Sequence, residues 1–168
     1  MRRVTLPEIA EMGSGGTPSR KNKSYYEGGT IPWLKSGELN NGVITSAEES
    51  ITELALEKTS AKVAPKGSLL VAMYGATAGK VGMLTFDSAV NQAICFIKPN
   101  NNEADTKYLY YFLMSKNEEI LDKRVGGGQP NISQTILKGL EIPLPPLDMQ
   151  KAIVAKLDRA QRLIDIDR

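Results

Sequence analysis

An α+β fold, with a mixed-sheet domain followed by a protruding C-terminal helix of coiled-coil type, follows from three observations on the sequence. Short apolar runs separated by glycine, proline and asparagine turns fill the middle of the chain, the pattern of half-buried strands. One longer stretch, "EADTKYLYYFLMSKNEEILDKR", repeats its apolar residues at helical spacing. After a proline cluster the pattern changes again, to a regular heptad-like seam that runs to the last residues.

Taken in order, the first dozen residues enter the domain as a short strand or helix. "GSGGTPSRKNKSYYEGG" is a long turn-rich loop, and "TIPWLKSGELNNG" is a short strand ending at the Asn41-Gly42 turn. "SAEESITELALEKTSAK" sets Ile51, Leu54 and Leu56 among helix formers and predicts a short amphipathic helix. "VAPKGSLLVAMYG", "KVGMLTFD" and "AVNQAICFIKPN" predict three strands. The turn "YGATAGKVG" comes close to a phosphate-cradling loop and fails its requirements. Gly75 and Gly79 stand one residue too close, Val81 replaces the Ser or Thr that holds magnesium, and a strand rather than a helix follows. A tight glycine-rich hairpin carrying Lys80 is the better reading.

In the predicted central helix, Leu109, Phe112, Leu113 and Lys116 share a face that Ile120 and Leu121 continue. Tyr108, Tyr110 and Tyr111 read as packing residues rather than base-stacking platforms. "VGGGQPNIS" is a second glycine loop, for which a flexible connector and a functional loop stand level. "QTILKGLEIPLPPL" predicts a short helix and a last strand. Asp148 is the expected N-cap of the final helix. Ile153, Leu157, Ala160 and Ile164 form its seam, and about 21 residues of helix reach roughly 30 Å. Such a seam needs a cover, and pairing with another chain is favoured over packing back onto its own domain. The expected division is a domain over residues 1–146 and a helix over residues 147–168.

Composition removes several function classes. The 168-residue chain contains no histidine, which excludes Ser-His-Asp and Cys-His catalysis and histidine-ligated zinc. Cys95 is the sole cysteine, expected as a small buried hydrophobe, so neither a disulfide framework nor a thiolate metal site can be built. No apolar run approaches the ~20 residues of a membrane span, and the N-terminal arginines lack the apolar stretch of a signal peptide. The expectation is a cytoplasmic protein. Net charge is only +2, yet its distribution is uneven. Arg20, Lys21 and Lys23 share one loop, and residues 62–100 carry Lys62, Lys66, Lys80 and Lys98 against Asp87 alone. Glu48, Glu49, Glu53 and Glu57 make an acidic stretch. A basic side and an acidic side fit a modest polyanion binder and ordinary solvated charge equally well.

Six ordered segments carry a resemblance: "IAEMGSGGTPSR", "IPWLKSGEL", "APKGSLLVAMYGATAGKVGML", "AVNQAICFIKPN", "KYLYYFLMS" and "GGGQPNISQTILKGLEIPLPPLDMQKAIVAKLD". Together they span essentially the whole sequence, which resembles one half of a type I restriction-modification specificity (S) subunit. The resemblance implies one DNA target-recognition domain and the start of a spacer helix, present as a half-subunit or as part of a longer one. It implies double-stranded DNA, methyltransferase (M) and restriction (R) subunits and a second recognition half as partners. Two-fold pairing through the seam would read a symmetric, bipartite site. It further implies no chemistry in this chain and no cofactor; S-adenosylmethionine, ATP and magnesium would belong to the other subunits.

The same resemblance places Tyr74 to Lys80 at the DNA-facing end, with Lys80 on a phosphate and Tyr74 and Thr77 reaching backbone or base edges. Thr17, Ser19, Arg20, Lys21 and Lys23 form a candidate clamp, and Lys35 and Ser36 another pair. Gln129 and Asn131 have the amide chemistry that reads adenine. For Asn91 and Gln92, internal hydrogen bonding and DNA contact stand level, and Trp33 is expected in the core. Two other classes stay in view. Asp105 and Lys107 are a fragment of a metal-dependent nuclease pattern that lacks further defensible carboxylates. A small NTPase or a non-catalytic oligomerisation protein is the remaining alternative.

Overall fold

The computed structural model describes residues 1–122 and 132–167. Its centre is a five-stranded sheet built from β2 (Ala10–Ser14), β4 (Gly42–Ile44), β7 (Leu69–Ala72), β8 (Val81–Leu84) and β10 (Ile94–Pro99). The strand order is β2-β10-β7-β8-β4, antiparallel except for the parallel pair β4–β8. A four-stranded sheet packs beside it, from β3 (Ile31–Leu34), β5 (Glu49–Ile51), β6 (Lys62–Ala64) and β9 (Ser88–Val90), in the order β5-β3-β9-β6. A short ribbon pairs β1 (Arg3–Val4) with β11 (Ile142–Pro143). The α+β expectation with mixed sheets holds.

The period of two along β7 and β10 explains the layering. Leu69, Val71, Cys95 and Ile97 point into one core, and Leu70, Ala72, Ile94 and Phe96 into another. A strand buried on both faces reads as a continuous apolar run, and all of β7 is buried. The first core lies under α1 (Leu6–Ile9), α3 (Thr106–Ser115), α4 (Asn117–Asp122), α5 (Gln134–Lys138) and the start of α6 (Leu147–Ile166). The second joins the two sheets through Leu34, Ala64 and Val90. On the outer face of the four-stranded sheet, Trp33, Ile51 and Ala89 pack with Ala55 of α2 (Glu53–Lys58) and with Tyr25 and Tyr26.

Several expectations need correction. The helix expected around residues 46–62 is shorter, because Glu49–Ile51 pairs with β3 as a strand before Thr52 caps α2. The single strand expected over "VAPKGSLLVAMYG" is two strands in different sheets, broken at Gly67 with φ +89°. The strand expected over "AVNQAICFIKPN" also divides, into β9 and β10. Asp148 is not the N-cap: Pro146 takes that position and Asp148 sits in the first turn, where a carboxylate still favours the helix N-terminus.

The root of α6 is fixed by Gln150, which is fully buried. Its Oε1 accepts the Asp105 N–H at 2.8 Å, and its Nε2 donates to the Glu103 and Pro145 carbonyls at 2.9 and 2.8 Å. Two turns later Asp158 accepts from Lys107 Nζ at 2.7 Å and from the Tyr111 hydroxyl at 2.5 Å. These contacts lie on one face of the helix. Beyond them Leu157, Ala160 and Ile164 are exposed, while Ile153 is partly buried against the domain.

Candidate nucleic-acid interface

Backbone hydrogen bonds tie four separate segments together at one end of the sheets. The Gly15 and Gly16 N–H groups donate to the Asn91 and Val90 carbonyls at 3.3 and 3.2 Å, and Asn91 N–H donates to Leu34 at 2.9 Å. Met73 N–H donates to the Ala93 carbonyl at 2.8 Å. Side chains complete the weave. The Thr17 hydroxyl donates to Gln92 Oε1 at 2.6 Å, and the Thr77 hydroxyl to the Ser36 carbonyl at 2.7 Å. Thus Thr17, the Lys35-Ser36 turn, the β7–β8 hairpin and the Asn91-Gln92 corner form one continuous edge. The hairpin is tight because Gly75 and Gly79 both sit at φ +90°, where a side chain would be strained.

Within this edge the candidate residues fare differently. Thr17, Ser19, Arg20, Lys21, Lys23, Tyr74 and Lys80 are exposed, and Lys35, Ser36 and Thr77 are half-buried. Lys21, Lys23 and Lys80 have no ion pair among the described residues. Lys80 lines a polar cleft with Asn41, Ser115, Asn117 and Glu118 at the hairpin base. Lys23 stands apart: its turn, residues 23–25, is tied to the start of α2 by the Thr52 hydroxyl, which donates to Ser24 at 2.8 Å. Gln129 and Asn131, with Gly126–Gly128, lie outside the described residues.

Arg20 and Lys35 are engaged already. Arg20 donates through both terminal nitrogens to Glu49, at 2.5 and 2.9 Å, a charge-assisted fork. Its guanidinium carbon lies 4.7 Å from the Tyr26 ring centre and 5.1 Å from that of Trp33, within cation–π range. Lys35 Nζ reaches the same Glu49 at 2.5 Å, with Glu48 and Glu38 at 3.4 and 3.7 Å. The Arg20 and then the Lys35 hydrogen bonds hold the Glu49 carboxyl down at about 2. The separate basic and acidic sides read from the sequence are therefore interleaved here. Glu49 and Tyr26 were not singled out as partners, because only the β3–β5 register, with Trp33 opposite Glu49, brings them to Arg20.

Other residues have internal roles. Trp33 is core, with its Nε1 donating to the Gly16 carbonyl at 3.2 Å. Cys95 is buried and its thiol is pushed up to about 12 by burial. Asp105 caps α3 through the Tyr108 N–H, and Lys107 belongs to Asp158, so the nuclease-like fragment is accounted for by the fold. Among the described residues no group of three His, Cys, Asp or Glu side chains is placed to hold a metal ion, and no helix is long and apolar enough to cross a membrane.

Residues 1–168 match the family model of the type I restriction modification DNA specificity domain. The chain belongs to this family. Relatives of this specificity domain include the Escherichia coli type I restriction enzyme EcoR124I/EcoR124II specificity subunit, 30% identical over 95% of this chain and 40% of that protein. The MjaIX specificity subunit of Methanocaldococcus jannaschii is 33% identical over 95% of this chain and 38% of its own length. The solved HsdS subunit of Thermoanaerobacter tengcongensis superposes with a TM-score of 0.75 at 25% identity, covering 98% of this chain and 38% of that one. A chain in a structure concerned with complex assembly and conformational transition of the type I R-M system gives 0.76 at 25% identity, covering 98% and 39%. The specificity domain thus spans about two fifths of the length of these relatives.

Proposed function

We propose that this chain is the DNA-reading part of a type I restriction-modification specificity subunit. It recognises one half of a bipartite target, docks a methyltransferase subunit and performs no chemistry of its own. The carrying observation is the woven edge, where loops from four parts of the sequence converge and present exposed hydroxyl, amide and ammonium groups on a rigid double-sheet support. Phosphate contacts position such a protein, and hydroxyl and amide groups read base edges. Tyr74, Gln92 and Lys80, exposed in this edge, and Lys21, exposed on the loop that follows Thr17, are the proposed first contacts. The unpaired seam of α6 supplies the surface for a second recognition half. S-adenosylmethionine, ATP and magnesium are assigned to the partner subunits.

The test is co-expression with the M subunit of the same system, followed by genome-wide mapping of methylated adenine. The expected result is methylation at a split motif, lost or weakened by Lys80→Ala. A palindromic motif marks two copies of this chain, and an asymmetric one marks a different second half. Absence of any complex with the M subunit overturns the proposal.

A further inference from the structure

We propose that Glu49 is a specificity-determining residue that occupies Arg20 and Lys35 in place of a phosphate, so that this part of the edge has little affinity for DNA backbone alone. The proposal rests on the DNA-reading function above and names how its site is restrained. A guanidinium fork and an ammonium clasping a carboxylate present the same donors that would hold a pair of phosphate oxygens. Both terminal nitrogens of Arg20 and the Nζ of Lys35 converge on that one group.

The clasp is built by the fold. Antiparallel pairing of β3 and β5 sets Glu49 opposite Trp33, and Lys35 follows two residues on, so all three side chains share one face of the sheet. Arg20 arrives from the loop after β2 and lies over Tyr26 and Trp33. Charge completes the argument. Two cations here face three carboxylates, Glu38, Glu48 and Glu49, so the cluster presents no positive field to a polyanion. Lys21 and Lys80 are left to draw the backbone. Arg20 and Lys35 change partner only where a better acceptor than Glu49 arrives in register, and Arg20 has the fork that reads guanine O6 and N7. Discrimination then comes from weakening the sequence-independent term, which is a difference of affinities.

The experiment measures binding of the full 168-residue chain to a random-sequence DNA duplex by fluorescence anisotropy across a salt series. Glu49→Gln frees Arg20 of its ion pair and leaves Lys35 to Glu48 and Glu38, at 3.4 and 3.7 Å. Its logarithmic salt slope should steepen by about one unit, so it should lose about fourfold more affinity than the wild-type chain between about 50 and 200 mM salt. Glu49→Asp keeps the charge and should retain the wild-type slope, and Arg20→Ala added to Glu49→Gln should remove most of the gain. Thermal melting of each variant checks that it is folded. A folded Glu49→Gln chain that binds with an unchanged or shallower slope overturns the restraint while leaving the DNA-reading function intact. Binding by no variant, Glu49→Gln included, overturns both.

Discussion

Gly15 and Glu49 show how single positions set the edge. A Cβ built on Gly15 would stand 1.7 Å from the Val90 carbonyl oxygen, a backbone atom that cannot swing aside. Gly15→Ala must therefore push the first loop off the Asn91 corner. It should cost about 1–3 kcal/mol, read as a lower urea midpoint, and weaken DNA binding together with stability. Glu49 makes a prediction about pH. Its folded value, about 2, lies below its ordinary 4.5, so its ion pairs stabilise the fold fully above about 4.5 and lose that contribution as pH falls toward 2. The group is 30% exposed, and solvent screening keeps the effect modest. Between pH 5 and about 2.5 the melting temperature of the wild-type chain should fall more than that of Glu49→Gln; parallel curves would refute the coupling. Neither residue advertised its role. Gly15 is one glycine in a loop of several, and Glu49 lies 29 residues from Arg20 in a stretch that looks like solvated charge.

At the scale of elements, Gln150 joins the last helix to the domain. Replacing it with Leu leaves the buried Pro145 carbonyl and the partly buried Asp105 N–H and Glu103 carbonyl without this partner. Each group stranded in this way costs about 1–3 kcal/mol. Gln150→Leu should lower the urea midpoint clearly and speed amide exchange in the first turns of α6 more than in β7. Uniform exchange would show that the joint is no special anchor. The elements themselves were legible in proportion to the length of their pattern. The hairpin, the helix at α3 and the long α6 carry clear periodicity or glycine punctuation. The division of "AVNQAICFIKPN" into β9 and β10 was hidden, since a buried run looks continuous whichever sheet receives each part. α2 was overextended because good helix formers precede it, and pairing with β3 overrides that propensity. Gln150 was missed because a polar side chain on a helix reads as surface.

For the whole molecule, the two faces of α6 divide its tasks. Gln150, Val154 and Asp158 face the domain, and the seam residues Leu157, Ala160 and Ile164 face away, with Leu157 38% and Ile164 51% exposed. The heptad pattern in the sequence named the outward seam but not the inward face, and it counted Ile153, which the domain partly covers. An outward apolar seam on a helix held firmly at its root is suited to meet a second helix at a fixed angle, which would set two reading edges at a defined separation. Burying a leucine or isoleucine fully is worth roughly 1.5–3 kcal/mol. Leu157 and Ile164 are already partly covered, 38% and 51% exposed, so from each of two copies they would add only about 3–5 kcal/mol, short of the about −8 kcal/mol of a micromolar dimer. The 168-residue chain should therefore pair with its own copy only weakly, sedimenting as a dimer only as its concentration approaches about 1 mM, and Leu157→Lys with Ile164→Lys should abolish that association while leaving its melting temperature nearly unchanged at low concentration. If the wild-type chain stays monomeric even near about 1 mM, the seam does not pair with its own copy, and the second helix must come from a different sequence.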